Sequence, residues 1–146
     1  MKDYFRKFSF LVEYYPIELF TLEMLAIILI RPELKLLVFL VLGLGFTIGV
    51  SEGIKLFTRE RRPKTALERK FYRNTFKLNR RSFPSTHSAS VSFFAFLLWG
   101  TPLFIPLFIF ALIVMYSRLY IKSHYPRDIV VGALIGAVIG YAISAL

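Results

Sequence analysis

Cysteine is absent from this 146-residue chain, which excludes disulfides, a thiolate nucleophile and thiolate metal ligands. Histidine is scarce. His87 and His124 are the only two, too few for a typical structural zinc site when no cysteine joins them. Acidic residues number nine against 19 lysines and arginines, leaving a formal net charge of +10. What the chain has in excess is apolar: 56% hydrophobic residues, with 16 phenylalanines. A single small domain in water cannot bury so much, because its surface-to-volume ratio is too high. Lipid is the natural solvent for the remainder. Glu13, Glu18 and Glu23 interrupt the first apolar stretch, so it does not read as a cleaved signal peptide. The chain is expected to keep its whole length as one domain, residues 1–146.

Five apolar segments stand out when measured against the ~20 residues that cross ~30 Å of hydrocarbon. The first, from Tyr14 to Ile30, is the weakest; Arg31-Pro32 stops it and its glutamates are costly at mid-bilayer. It reads as a short or tilted span that starts in the interface. The second runs from Leu36 to Ile54, the third from Ser85 to Gly100, the fourth from Leu103 to Tyr120 and the fifth from Ile129 to Leu146. Pro106 falls in the first turn of the fourth, where proline is tolerated. The expected fold is all-α: an integral membrane helical bundle of about five spans, with one amphipathic interfacial segment. That segment is Ala66 to Leu78, where Leu67, Phe71, Phe76 and Leu78 alternate with Arg69, Lys70, Arg73 and Lys77.

Six of the eight glycines lie in two runs of four-residue spacing, Gly45-Gly49-Gly53 and Gly132-Gly136-Gly140. On a helix such a run makes a smooth stripe that lets another backbone approach. Both stripes are therefore expected in the tight centre of the bundle. If the spans alternate, 17 of the 19 basic residues share one side of the membrane. Either the positive-inside rule makes that side cytoplasmic, or the cations gather there to bind an anion.

Three clusters on that side suit phosphate chemistry. Lys55 is followed by Arg62-Pro63; Pro84-Ser85-Thr86-His87 opens the third span; Ser117-Arg118, His124 and Asp128 bridge the last two. A phosphoryl group in transfer spreads negative charge over its equatorial oxygens, so catalysis is mainly positioning and electrostatic stabilisation. Lys55, Arg62 and Arg118 supply positive charge from three separate elements. Ser85 and Thr86 sit where a helix N-terminus offers free backbone N–H groups to an anion. His124 and Asp128, four residues apart, face each other on a helical turn; the carboxylate holds one ring nitrogen as N–H and leaves the other for attack on phosphorus. Pro126 between them suits the first turn of a helix, and His87 is left to protonate the departing alkoxide. Glu52, three residues before Lys55, is placed to pair with it. Glu18 and Glu23 either meet basic groups of the rim or mark the interfacial start of their span.

In order and kind, these residues resemble the three-part signature of the type 2 phosphatidic acid phosphatase superfamily, which also includes vanadium haloperoxidases and glucose-6-phosphatase. The resemblance covers Lys55 to Asp128. It implies a helical bundle and a metal-independent reaction without a cofactor, with His124 as nucleophile, Asp128 as its partner and His87 as acid. Lys55, Arg62, Ser85 and Arg118 become phosphate ligands, with Thr86 beside them. Family members often carry glycine where this chain has Thr86, which still offers its backbone N–H. Many also have two spans ahead of the first cluster's span, where this chain has one weak one.

The apolar spans argue against the soluble haloperoxidases, and the basic loop favours a lipid phosphate over a sugar phosphate. Small bacterial members resemble enzymes acting on lipid A 1-phosphate, phosphatidylglycerol phosphate, phosphatidic acid or polyprenyl diphosphate; the basic patch favours a multiply anionic lipid, lipid A 1-phosphate first. Partners are then the membrane and that lipid, with no nucleic acid. The family places the active site on the periplasmic face of the inner membrane, against the positive-inside count. The rival readings are a non-catalytic protein that binds anionic lipids and a channel or transporter component.

Overall fold

The computed structural model describes residues 2–63 and 81–146. The amphipathic segment expected at 66–78 lies outside the described residues. Among the described residues the fold is all-helical, with one isolated antiparallel bridge between Arg61 and Arg81.

Local chemistry sets the helix boundaries. The N-terminal residues form a helix of their own, α1 (Lys2–Tyr14), which was not anticipated; Tyr15 breaks the run and Pro16 opens α2 (Pro16–Ile30) at its first position, where a missing N–H costs nothing. Pro32 ends α2 by disfavouring helical geometry at Arg31. The third helix, α3 (Leu34–Thr58), closes on Arg59 in the left-handed conformation (φ 51°). Ser85 caps α4 (Thr86–Leu97), accepting a hydrogen bond from the Ser88 N–H at 3.3 Å. Then come α5 (Phe104–Tyr120) and α6 (Pro126–Ser144), the last again begun by proline.

At the centre stands α4, where every residue from Ser88 to Ala95 is buried. The other helices surround it and turn large apolar side chains outward: Leu25 and Leu29 on α2, Leu42 and Phe46 on α3, Ile109 on α5, Leu134 and Val138 on α6. An apolar exterior on this scale fits lipid contact and not water. Among the described residues two helices, α3 and α6, are long and apolar enough to cross a membrane, and α5 is apolar but shorter, at 17 residues. The central α4, at 12 residues, measures only about 18 Å at 1.5 Å per residue. The five apolar segments are thus all present as helices, but full crossing length belongs to two of them.

The two glycine stripes part company. On α6, a Cβ added at Gly132, Gly136 or Gly140 would lie 2.3, 1.9 or 2.5 Å from the carbonyl oxygens of Ser85, Ala89 and Phe93, so α6 packs backbone to backbone on α4. On α3, a Cβ at Gly45, Gly49 or Gly53 would meet nothing within 4 Å. The expectation that this second stripe lies in the tight centre is overturned. The glycine of α3 that packs closely is Gly43, against the ring of Phe93. The reason is helical phase: Gly43, Thr47, Ser51 and Lys55 share the buried face, and a residue two positions away is rotated by about 200°.

Candidate functional site

A cavity of about 210 Å³ opens at the end of the bundle where α3 finishes and α4 and α6 begin. Lys55, Arg62, Thr86, His87 and His124 line its polar side, together with Glu52. Pro16, Ile17 and Phe20 of α2 and Ile48 of α3 make its apolar side. The three clusters read from the sequence therefore meet in space, each delivered by a different element.

Lys55 reaches in from the last turns of α3, its side chain 6% exposed. Its ammonium donates to Glu52 at 2.6 Å and to the Thr86 hydroxyl, which itself donates to the same Glu52 oxygen at 2.7 Å. The expected Glu52–Lys55 pair is present, and Thr86 closes it into a triangle that fixes the ammonium beside the start of α4. Ser85 stands one step behind. Its N–H donates to the Asp128 carbonyl at 2.9 Å and so ties α4's N-terminus to α6.

His124 lies in the turn between α5 and α6, with Nδ1 3.6 Å from Asp128 Oδ2. That is a few tenths of an ångström beyond a hydrogen bond, a spacing common before substrate draws such a pair together. Burial pushes the His124 imidazole down to about 4, against a smaller opposing pull from Asp128; Arg62 and Lys55 add to the lowering and Glu13 opposes it. At that value the ring is neutral at pH 7. Asp128 is fully buried. Its Oδ2 accepts from the Tyr125 N–H at 3.0 Å and from the hydroxyl of Ser82. Ser82 was missed in the sequence. It lies 46 positions from Asp128, and no spacing rule links them; its only mark is a place just ahead of the Pro84-Ser85 cluster.

Neither Arg118 nor Asp128 lines the cavity. Arg118 is wholly buried and committed elsewhere: Nη1 donates to Glu13 of α1 and Nη2 to the Ser9 carbonyl at 2.7 Å. Arg62 Nη1 reaches the other oxygen of Glu13 at 3.3 Å. His87 places Nε2 3.2 Å from the Val12 carbonyl; a carbonyl only accepts, so this nitrogen carries the proton. Glu13 had entered the sequence reading only as an interruption of apolar character. Of the two glutamates of α2, Glu18 is exposed and makes no described ion pair, while Glu23 is buried with neither carboxylate oxygen hydrogen-bonded among the described residues. Glu23 therefore makes no pair with the described basic rim.

The loop that carries Arg62 is pinned at both of its described ends. Arg81 Nη1 donates to the Lys55 carbonyl at 3.0 Å, Ser82 N–H to the Glu60 carbonyl at 2.8 Å, and Arg127 pairs with Glu60. These contacts hold Arg62, Ser82 and the start of α6 in one piece.

This geometry brings a histidine–carboxylate pair and a second histidine to one cavity with the cations Lys55 and Arg62. A family model described as the PAP2 superfamily matches residues 36–146, α3 through α6. The chain belongs to the PAP2 superfamily, whose phosphatase members act on phosphate esters. No curated protein matches the chain.

Proposed function

We propose that this protein is a membrane lipid phosphate phosphatase working through a phosphohistidine. The observation that carries the reading is the convergence of Lys55, Arg62, Thr86, His87 and His124 on one cavity whose other wall is apolar. At about 210 Å³ it falls below the ~300–1,000 Å³ typical of sites that swallow a whole small molecule. It suits a phosphate head whose acyl chains stay in the bilayer, entering past the apolar side chains of α2 and α3.

With the phosphate against Lys55, Arg62 and the N–H groups at the start of α4, Nε2 of His124 attacks phosphorus in line. The P–O bond to the lipid breaks, the electron pair leaves on oxygen, and His87 gives that oxygen a proton. Asp128 holds Nδ1–H and stabilises the positive charge that develops on the ring. Water then attacks the phosphohistidine with His87 as base. The P–N bond breaks, the pair returns to Nε2, and inorganic phosphate leaves. Ser85 acts through its cap and backbone, and Arg118 completes the cation set once it is released from α1. In this reading the five apolar helices form the membrane-embedded bundle, the active site faces the periplasmic side of the inner membrane, and the basic loop selects a multiply anionic lipid. Lipid A 1-phosphate stands first, ahead of phosphatidylglycerophosphate, phosphatidic acid and polyprenyl diphosphate.

The test is phosphate release from a panel of these lipids in detergent with chelator present, wild type against His124→Ala. Release from one lipid, resistant to chelator and reduced at least about 10³-fold in the variant, supports the mechanism. Undiminished release in His124→Ala would overturn it, and no release from any lipid by folded protein would leave the site to lipid binding.

A further inference from the structure

Four oxygens of α1 occupy donor nitrogens of three residues assigned to the substrate. Glu13 spans Arg62 and Arg118, the Ser9 carbonyl takes the second Arg118 nitrogen, and the Val12 carbonyl takes His87 Nε2. The Glu13 side chain is 6% exposed and the two arginines 7% and 0%, so this is a desolvated cluster and not a surface ion pair. An anion already sits between the arginines, and it belongs to the protein. Arg62 borders the cavity and Arg118 does not, and Glu13 bridges the two.

A carboxylate carries one charge on two oxygens. A phosphodiester in a bulk anionic lipid also carries one charge, and it gains nothing by displacing Glu13. A phosphomonoester carries about −1.5 to −2 charge and offers three terminal oxygens, enough to engage both guanidiniums more strongly. Building on the phosphatase reading, we propose that Glu13 is a specificity residue: a resident carboxylate that yields Arg62 and Arg118 to a phosphomonoester or diphosphate end and withholds them from the phosphodiesters of the surrounding membrane.

The test compares the full-length wild-type protein with Glu13→Gln in detergent. Calorimetric titration with inorganic phosphate is expected to give roughly tenfold tighter binding in the variant, the scale of one charge-assisted hydrogen bond no longer competed for. In mixed micelles, phosphatidylglycerol is expected to inhibit the variant competitively and to leave the wild type little affected. If Glu13 serves only to orient the arginines, phosphate binding weakens, KM rises and phosphatidylglycerol makes no difference; that result overturns the proposal, as does equal or absent phosphate binding in the two proteins. Should Glu13→Gln not fold, Glu13→Asp, whose charge is drawn back by one methylene, must change both readouts in the same direction to a smaller degree. Phosphate binding needs no turnover, so it decides the role of Glu13 even where wild type hydrolyses no lipid and the phosphatase reading itself has failed.

Discussion

Two helices of this bundle carry the same glycine spacing and use it in opposite ways. On α6 the stripe Gly132-Gly136-Gly140 lies against carbonyl oxygens of α4. On α3 the stripe Gly45-Gly49-Gly53 faces open space beside outward-turned Leu42 and Phe46. The difference follows from the charged residue each helix must aim into the site. Asp128, Gly132, Gly136 and Gly140 form one four-residue series, so pointing the carboxylate inward points the glycines inward. Lys55 belongs to the series Gly43-Thr47-Ser51-Lys55, and the glycines two positions away are carried to the far face. A small-residue motif thus states that close approach is permitted. The functional residue in phase with it decides whether approach occurs.

Leucine substitution tests this contrast most severely. Gly136→Leu drives a side chain into the Ala89 carbonyl, where even a Cβ would stand at 1.9 Å; the expected cost is at or above the upper end of the ~1–3 kcal/mol typical of overpacking. Loss of monodisperse protein in size-exclusion chromatography is the readout. Gly49→Leu, with nothing within 4 Å, is expected to leave both the elution profile and phosphatase activity intact. Equal behaviour of the two variants would remove the distinction between the stripes.

A smaller effect is expected where the α4–α6 contact meets the chemistry. Ser82→Ala removes one hydrogen bond to the buried Asp128 carboxylate. A hydrogen bond to a charged group contributes about 1.5–3 kcal/mol, so kcat should fall roughly tenfold or more. KM should hardly change, because Ser82 acts through Asp128 on His124 and does not line the cavity. A rise in KM at constant kcat would assign Ser82 to substrate binding instead.

The mildest perturbation is pH. With His124 held down to about 4, its nucleophilic form persists below the ordinary histidine value near 6.5. Corrected for the second ionisation of the substrate phosphate, at about 6, kcat/KM should show no His124 limb at 6.5 and should decline only toward 4. Stability runs with the same sign. Between about 4 and 6.5 the unfolded chain binds the proton that buried His124 refuses, so this group's contribution to stability is lost as pH falls through that window. A limb in kcat/KM near 6.5 that survives the substrate correction would show an imidazole of ordinary basicity.

Much of the site was legible in advance because its chemistry is local. A proline before Ser85-Thr86 marks a helix start, and Ser85 does cap α4. His124 and Asp128 are one turn apart, and Pro126 does open α6. Glu52 and Lys55 are three apart and do pair. The misses are of another kind. Glu13 finds Arg118 across 105 positions and Ser82 finds Asp128 across 46. The first helix, α1, was missed because the first span was read as starting in the interface at Tyr14.

The amino-acid sequence alone determined the apolar exterior, the helical punctuation and most of the candidate site residues, since composition, proline and serine placement and short spacings act over one or two turns of chain. Only the tertiary structure decided which glycine stripe packs, that α4 is a short buried helix at the centre, and that a carboxylate from α1 lies between the two arginines. Those outcomes depend on how helices rotate about their axes and dock. That rotation is chosen by the sum of many contacts between distant residues, which no local pattern records.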